Sequence, residues 1–319
     1  MKIIVLDGFT LNPGDISWAL LEALGNVTVY DRTPAELTLD RIGDADAVFT
    51  NKTVISKEIL AKCPGLRFIG VLATGYNVVD VAAARERGIP VSNVPTYGTM
   101  SVAQFATALM LELCHQVGRH NESARSGQWA KAEDWCYWLN PLVELNGKNL
   151  GIIGFGRIGQ AFGRIGQALG MNILAHDSYR DAKLESDTLR YAELDELYSE
   201  SDVISLHCPL SADNIGMINA AAIARMKPGV FLINTSRGPL VHEQDLADAL
   251  NEGRIGGAGL DVLSAEPPGA DNPLLTAKNC IVTPHIAWAA REPRMRIMET
   301  AVDNLRAFLG GDVRNVVNP

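Results

Sequence analysis

The sequence predicts an α/β protein made of two parallel-sheet domains separated by a cleft. Three observations carry this. The chain contains two successive series of short apolar runs that alternate with helix-period segments. Those runs are almost continuously apolar, as parallel strands covered on both faces require. The second series, from about Leu150, is far richer in glycine punctuation than the first. A length of 319 residues suits about two such domains.

In the first series KIIVLD, NVTVYD, DAVFTN, LRFIGVLATG and IPVSNVP are strand candidates. ISWALLEALG, VISKEILAKC and DVAAARERG carry helix-period apolar positions between them. VPTYGTMSVAQ breaks the pattern, and Ser101 is placed to cap the long helix candidate VAQFATALMLELCHQV. The second series offers six strands: NLGIIGFG, MNILAHD, DVISLH, GVFLINTS, GGAGLD and NCIVTP. RIGQAFGRIGQALG, NIGMINAAAIARM and EQDLADALNEG are its helices. The tail from Ala289 to Gly310 is a helix candidate expected to return to the first domain. The expected division is 1–100 plus 289–319 for one domain and 101–288 for the other, with hinges at 98–101 and 286–290.

Composition excludes several function classes. The 28 basic and 37 acidic residues give a net charge of −9, with no Lys/Arg block, which disfavours binding driven by a nucleic-acid backbone. The apolar run in MKIIVLDG is too short for a signal peptide. No apolar stretch approaches the ~20 residues of a membrane helix. Cys63, Cys114, Cys136, Cys208 and Cys280 are scattered without metal-ligand spacing. A reduced, cytoplasmic protein without a metal site is therefore expected.

Gly154-Phe155-Gly156-Arg157-Ile158-Gly159 follows one strand candidate and opens a helix candidate. Gly154 suits a tight turn, Gly156 a close backbone approach to a pyrophosphate, and Gly159 close helix packing. A helix N-terminus supplies free N–H groups to phosphates. Asp177 closes the next strand, where a carboxylate accepts hydrogen bonds from an adenosine ribose and repels a 2′-phosphate. The pattern predicts a Rossmann-like domain binding NAD in preference to NADP, a preference that nearby Arg180 tempers. The alternative is that these glycines serve packing alone.

Ligands of open parallel sheets meet the loops at the carboxyl ends of strands. INTSRGPLV puts Arg237 at one such end, followed by Gly238, where the backbone can turn tightly. GGAGLDVLSAEPP puts Asp261 at the next and Glu266 just beyond, and CIVTPHI puts His285 at the following one. Arginine can grip a carboxylate through two parallel hydrogen bonds. Taken singly, Arg237 can equally be a surface ion-pair residue and His285 a polar residue ending a buried strand. Together they offer a cation, carboxylates and an imidazole to one cleft.

With these residues in view, the whole chain resembles the D-isomer-specific 2-hydroxyacid dehydrogenase family, most closely its glycerate dehydrogenase/hydroxypyruvate reductase-like members. The resemblance rests on VLATGYNVVD (71–80), the glycine fingerprint, SLHCPLS (205–211), NTSRGPLV (234–241), GLDVLSAEP (259–267) and TPHIAW (283–288). It implies that Arg237 binds the substrate carboxylate and carbonyl, that His285 exchanges the proton, and that Glu266 pairs with it. It places Asp261 at the nicotinamide end, with Thr235 and His207 on the cofactor side. Backbone around Thr74, Gly75 and Tyr76 would hold the carboxylate from the substrate-binding domain. The implied reaction is reversible, NAD-dependent reduction of a small 2-keto acid, foremost hydroxypyruvate to D-glycerate, with glyoxylate or pyruvate (D-lactate formation) as alternatives. Trp288 suggests a restricted pocket. An NAD-responsive corepressor of the same architecture is the alternative from a different class.

Other residues carry smaller expectations. His207 can equally be a structural imidazole, Cys208 lacks a base partner, and His115, His120 and His242 lack a ligand constellation. His176 adjoins Asp177 and can either shape the adenosine pocket or lie at the surface. Trp135, Tyr137 and Trp138 form local packing, a dimer contact or an aromatic wall at a neighbouring site. The resemblance implies a homodimer built through the nucleotide-binding domain.

Overall fold

A computed structural model describes all residues, 1–319. The chain divides into two compact units, Met1–Gly98 with Trp288–Pro319, and Thr99–Ala287. Trp288 falls with the first unit and Thr99–Met100 with the second.

The first unit is a five-stranded parallel sheet of β1 (Lys2–Val5), β2 (Asn26–Val29), β3 (Ala47–Thr50), β4 (Phe68–Val71) and β5 (Val91–Ser92), in the order β2-β1-β3-β4-β5. The period-2 alternation of the strands splits their side chains into two cores. Ile3, Val5, Phe49 and Phe68 meet Ile297, Met298, Ala301, Val302 and Leu305 of the C-terminal helix, Arg291–Leu309. Ile4, Val48, Ile69 and Val91 meet Ile42, Leu60 and Ala84 on the other face. These three belong to α2 (Thr38–Ile42), α3 (Lys57–Ala61) and α4 (Val81–Glu86), and α1 (Ala19–Glu22) precedes them in the chain. Each such large side chain, fully buried, contributes about 1.5–3 kcal/mol. Buried Arg294 fastens the C-terminal helix by donating to both oxygens of Asp15 at 2.7 and 2.6 Å. The five-residue α2 escaped periodicity because it spans barely more than one turn.

The second unit holds a seven-stranded parallel sheet of β6 (Asn149–Ile153), β7 (Asn172–His176), β8 (Leu189–Tyr191), β9 (Val203–Leu206), β10 (Val230–Asn234), β11 (Ile255–Leu260) and β12 (Cys280–Val282). Its order is β12-β11-β10-β9-β6-β7-β8, so the winding reverses between β6 and β9, where such sheets bind ligands. Its helices are α5 (Thr99–His115), α6 (Val117–Arg125), α7 (Arg157–Ala168), α8 (Leu194–Glu200), α9 (Ala220–Arg225) and α10 (Glu243–Asn251).

Three expectations are corrected here. The sheet has a seventh strand, β8, with only Leu189 buried, too little for an apolar signal. Ser101 does not cap a helix: α5 starts at Thr99, and the Ser101 hydroxyl donates to the Ala287 carbonyl at 2.7 Å. Of the helix expected over 214–226, only α9 forms, capped by Asn219, because Ile218 is drawn into a bridge with Val241. No helix is long and apolar enough to cross a membrane.

Candidate active site

Because all seven strands of the second sheet run parallel, their carboxyl ends share one edge. Along that edge, in spatial order, stand His285, Asp261, Arg237 with Thr235, His207, the Gly154 turn and Asp177.

The glycine fingerprint divides into two kinds of position. Gly154 holds φ +93°, and a Cβ there would lie 2.3 Å from the Cys208 nitrogen of the neighbouring loop. A Cβ on Gly159 would lie 2.2 Å from the Gly154 carbonyl oxygen, so that residue packs α7 against the turn. Gly156, the N-cap of α7, differs: a Cβ there meets nothing within 4 Å. Its surroundings are therefore open space beside free helix N–H groups, the requirement for an approaching phosphate. Asp177 accepts from the Phe155 N–H at 2.7 Å through one oxygen and from the Tyr179 N–H at 3.0 Å through the other.

Two buried polar atoms beside this turn have no protein partner: His207 Nδ1 and the Thr235 hydroxyl. Such atoms are costly unless something else satisfies them. They lie at the ends of neighbouring strands β9 and β10. Open space at Gly156 and two waiting hydrogen-bonding atoms fit a dinucleotide laid across the edge. The other His207 nitrogen pairs with Ser205 Oγ at 2.8 Å, and burial pushes the imidazole pKa down to about 4, so the ring is neutral near pH 7. Burial likewise pushes the neighbouring Cys208 thiol up, away from nucleophilic reactivity.

At the other end of the edge, His285 is held from both backbone and side chain. Its N–H donates to Asp261 O at 2.8 Å and Thr283 O at 3.0 Å, across the intervening Pro284. Its backbone sits at φ +55°, a left-handed conformation rare outside glycine. His285 Nδ1 and Glu266 Oε2 are 2.6 Å apart. The second Glu266 oxygen accepts from the Leu263 N–H at 3.2 Å, which fixes the carboxylate's direction. A cavity of about 410 Å³, walled by Leu263, Leu275, Val282 and prolines, adjoins the pair.

Asp261 is 1 % exposed, and both its oxygens are occupied within its own unit. It accepts from Thr283 Oγ1 at 2.6 Å, Ile286 N at 2.9 Å and Ala287 N at 2.8 Å. Arg237 is exposed; its guanidinium donates to the Ser236 carbonyl at 2.7 Å and pairs with no carboxylate. Gly238 is needed for a reason other than a tight turn. A Cβ there would lie 1.9 Å from the Leu263 carbonyl carbon, so two backbones touch where Arg237 meets the Glu266 loop.

In the first unit, Thr74, Gly75 and Tyr76 follow β4 at the carboxyl edge of its sheet. The Thr74 hydroxyl donates to Val94 O, and the Asn93 amide donates to Thr74 O, each at 2.7 Å. A clamp unforeseen from sequence lies on the same edge: the Asp7 carboxylate accepts from the N–H groups of Asn51, Lys52 and Thr53 at 2.6–2.8 Å. The aspartate ending KIIVLD was its only sequence signal. Trp288 packs edge-on to Tyr97, with ring centroids 6.4 Å apart. His120, His176 and His242 each make local hydrogen bonds. Tyr137 is bound to Ser123 at 2.7 Å, whereas Trp135 and Trp138 stand exposed.

Fold and edge together define a dinucleotide-binding protein of the doubly wound class. Residues 107–287 match the family described as D-isomer specific 2-hydroxyacid dehydrogenase, NAD binding domain. A hydroxypyruvate reductase of Blautia hydrogenotrophica is 61% identical over the full length of both chains. A glycerate dehydrogenase of Methylorubrum extorquens is 40% identical over 89% of each. Among solved structures, D-lactate dehydrogenase from Aquifex aeolicus, complexed with NAD and lactic acid, superposes with a TM-score of 0.85 at 29% identity, covering 100% of this chain and 99% of that one. The chain belongs to the D-isomer specific 2-hydroxyacid dehydrogenase family.

Proposed function

We propose that the chain reduces hydroxypyruvate to D-glycerate, with His285 as the proton donor. The observation that carries the mechanism is the 2.6 Å His285–Glu266 pair. Nδ1 faces the carboxylate, and the proton exchanged with the substrate oxygen would pass through Nε2. Bound NADH supplies the hydride. As charge develops on the carbonyl oxygen, His285 donates a proton to it, and in the reverse direction neutral His285 accepts the hydroxyl proton. Arg237, without a carboxylate partner, orients the acid and stabilises that charge. Thr74, Gly75, Tyr76 and Trp288 are the residues proposed for substrate recognition in the first unit.

Phe155, Gly156, Arg157 and Ile158 would line the pyrophosphate, with Gly154 and Gly159 shaping the turn and its helix; Asp177 would meet the ribose, and His207 and Thr235 the remaining cofactor edge. Asp261 acts by holding the 283–287 segment, consistent with its fully used carboxylate. The full-length likeness to a hydroxypyruvate reductase supports that substrate over glyoxylate or pyruvate. A homodimer is proposed through the second unit, where Trp135, Trp138 and Leu142 expose apolar surface. Five unpaired cysteines suit a reducing cytoplasm.

The test is NADH oxidation by the purified protein with hydroxypyruvate, glyoxylate and pyruvate. The highest kcat/KM is expected with hydroxypyruvate, and no turnover of any of them contradicts the proposal.

A further inference from the structure

The sequence leaves a conflict at the adenosine end. Asp177 favours NAD, yet Arg180, three residues on, is the type of side chain that accepts a 2′-phosphate. The backbone between them is fixed. Asp177 Oδ1 accepts from the Tyr179 N–H, and the Asp181 N–H donates to Tyr191 Oη at 3.2 Å. Tyr191 in turn stands edge-on to Phe155 of the fingerprint, with ring centroids 6.0 Å apart. Arg180 is therefore rooted beside the dinucleotide turn, and only its long side chain can choose a direction.

That direction is taken by Glu193, the residue preceding α8. Arg180 Nη2 donates to Glu193 Oε1 at 2.5 Å, with side chains 44% and 74% exposed. Glu193 makes no capping bond to its own helix, so its carboxylate is available for this pair. We propose that Glu193 is a specificity-determining residue for the cofactor, acting through Arg180. By holding the guanidinium it withholds a nearby cation suited to gripping a 2′-phosphate, and leaves Asp177 to reject that group. With Glu193 neutralised, Arg180 is released to form charge-assisted bonds with the phosphate. The inference rests on the proposed placement of the ribose at Asp177.

The pair is exposed, so its effect is modest, on the order of threefold to fivefold in affinity, and greatest at low salt. The experiment measures dissociation constants for NADPH and NADH by fluorescence titration at low ionic strength. It compares the unmodified protein with Glu193→Gln, Arg180→Ala, their combination and Asp177→Asn. Glu193→Gln is expected to tighten NADPH about threefold to fivefold while NADH changes less than about twofold. Adding Arg180→Ala must abolish the gain. NADPH affinity unaltered by Glu193→Gln, or a gain that survives Arg180→Ala, overturns the proposal alone. NADH affinity unaltered by Asp177→Asn overturns the ribose placement and the proposal with it.

Discussion

The buried carboxylate of Asp261 closes the turn that carries His285. Asp261 contributes its carbonyl to the His285 N–H and both side-chain oxygens to Thr283, Ile286 and Ala287. The left-handed His285 backbone, which by itself costs on the order of 1–3 kcal/mol, is thus held from both sides in sequence. Asp261→Ala strands the buried Ala287 N–H, the more exposed Ile286 N–H and the Thr283 hydroxyl, and is expected to cost about 3 kcal/mol. In a unit of this size that lowers Tm by roughly 6–12 °C. Calorimetry checks the value, and turnover should fall with it as His285 loses its fixed aim. An unchanged Tm would show that the turn stands without the carboxylate.

Gly156 and Gly159 separate cofactor space from packing space. Gly156→Ala places a methyl group where nothing lies within 4 Å, so Tm should stay within about 2 °C while NADH affinity drops by tenfold or more. Gly159→Ala drives the methyl group into the Gly154 carbonyl and should destabilise the unit by about 2 kcal/mol or more. Thermal melts with and without NADH, run on both variants, distinguish the two effects. Equal losses of stability would contradict this division.

His207 makes the second unit acid-sensitive. Its folded pKa of about 4 lies below the ordinary value of 6.5, so the unfolded chain binds the proton more readily. The associated stability is fully present above pH 6.5 and is lost as pH falls through about 4. By pH 5 the loss from this group is about 2 kcal/mol. His207→Asn should therefore show a flatter stability profile between pH 7 and 5 in urea unfolding. Parallel profiles for the two proteins would refute the assignment.

What was legible in the sequence follows physical rules. Strands β1, β3, β4, β5 and most of the second sheet were visible because burial on both faces leaves near-continuous apolar runs, whereas the partly exposed edge strand β2 showed through its β-branched residues. The edge strand β8 was not, since this three-residue strand buries only Leu189. Arg237, Asp261 and His285 could be placed at strand ends because each ends an apolar run with a residue capable of chemistry. The partners of Asp261 were hidden, since two of the three are backbone N–H groups, which every residue other than proline possesses. The same is true of the Asp7 clamp. The Arg180–Glu193 pair joins two segments separated by β8, and charge at exposed positions has no period to betray such a contact.

The role of His285 is read most directly from the steady-state kcat for hydroxypyruvate reduction by His285→Ala, with the NADH dissociation constant and Tm measured on the same sample. kcat should fall about 10²–10⁴-fold, with NADH binding and Tm preserved. Near-normal turnover by the folded, NADH-binding variant would contradict the assignment of His285 as proton donor.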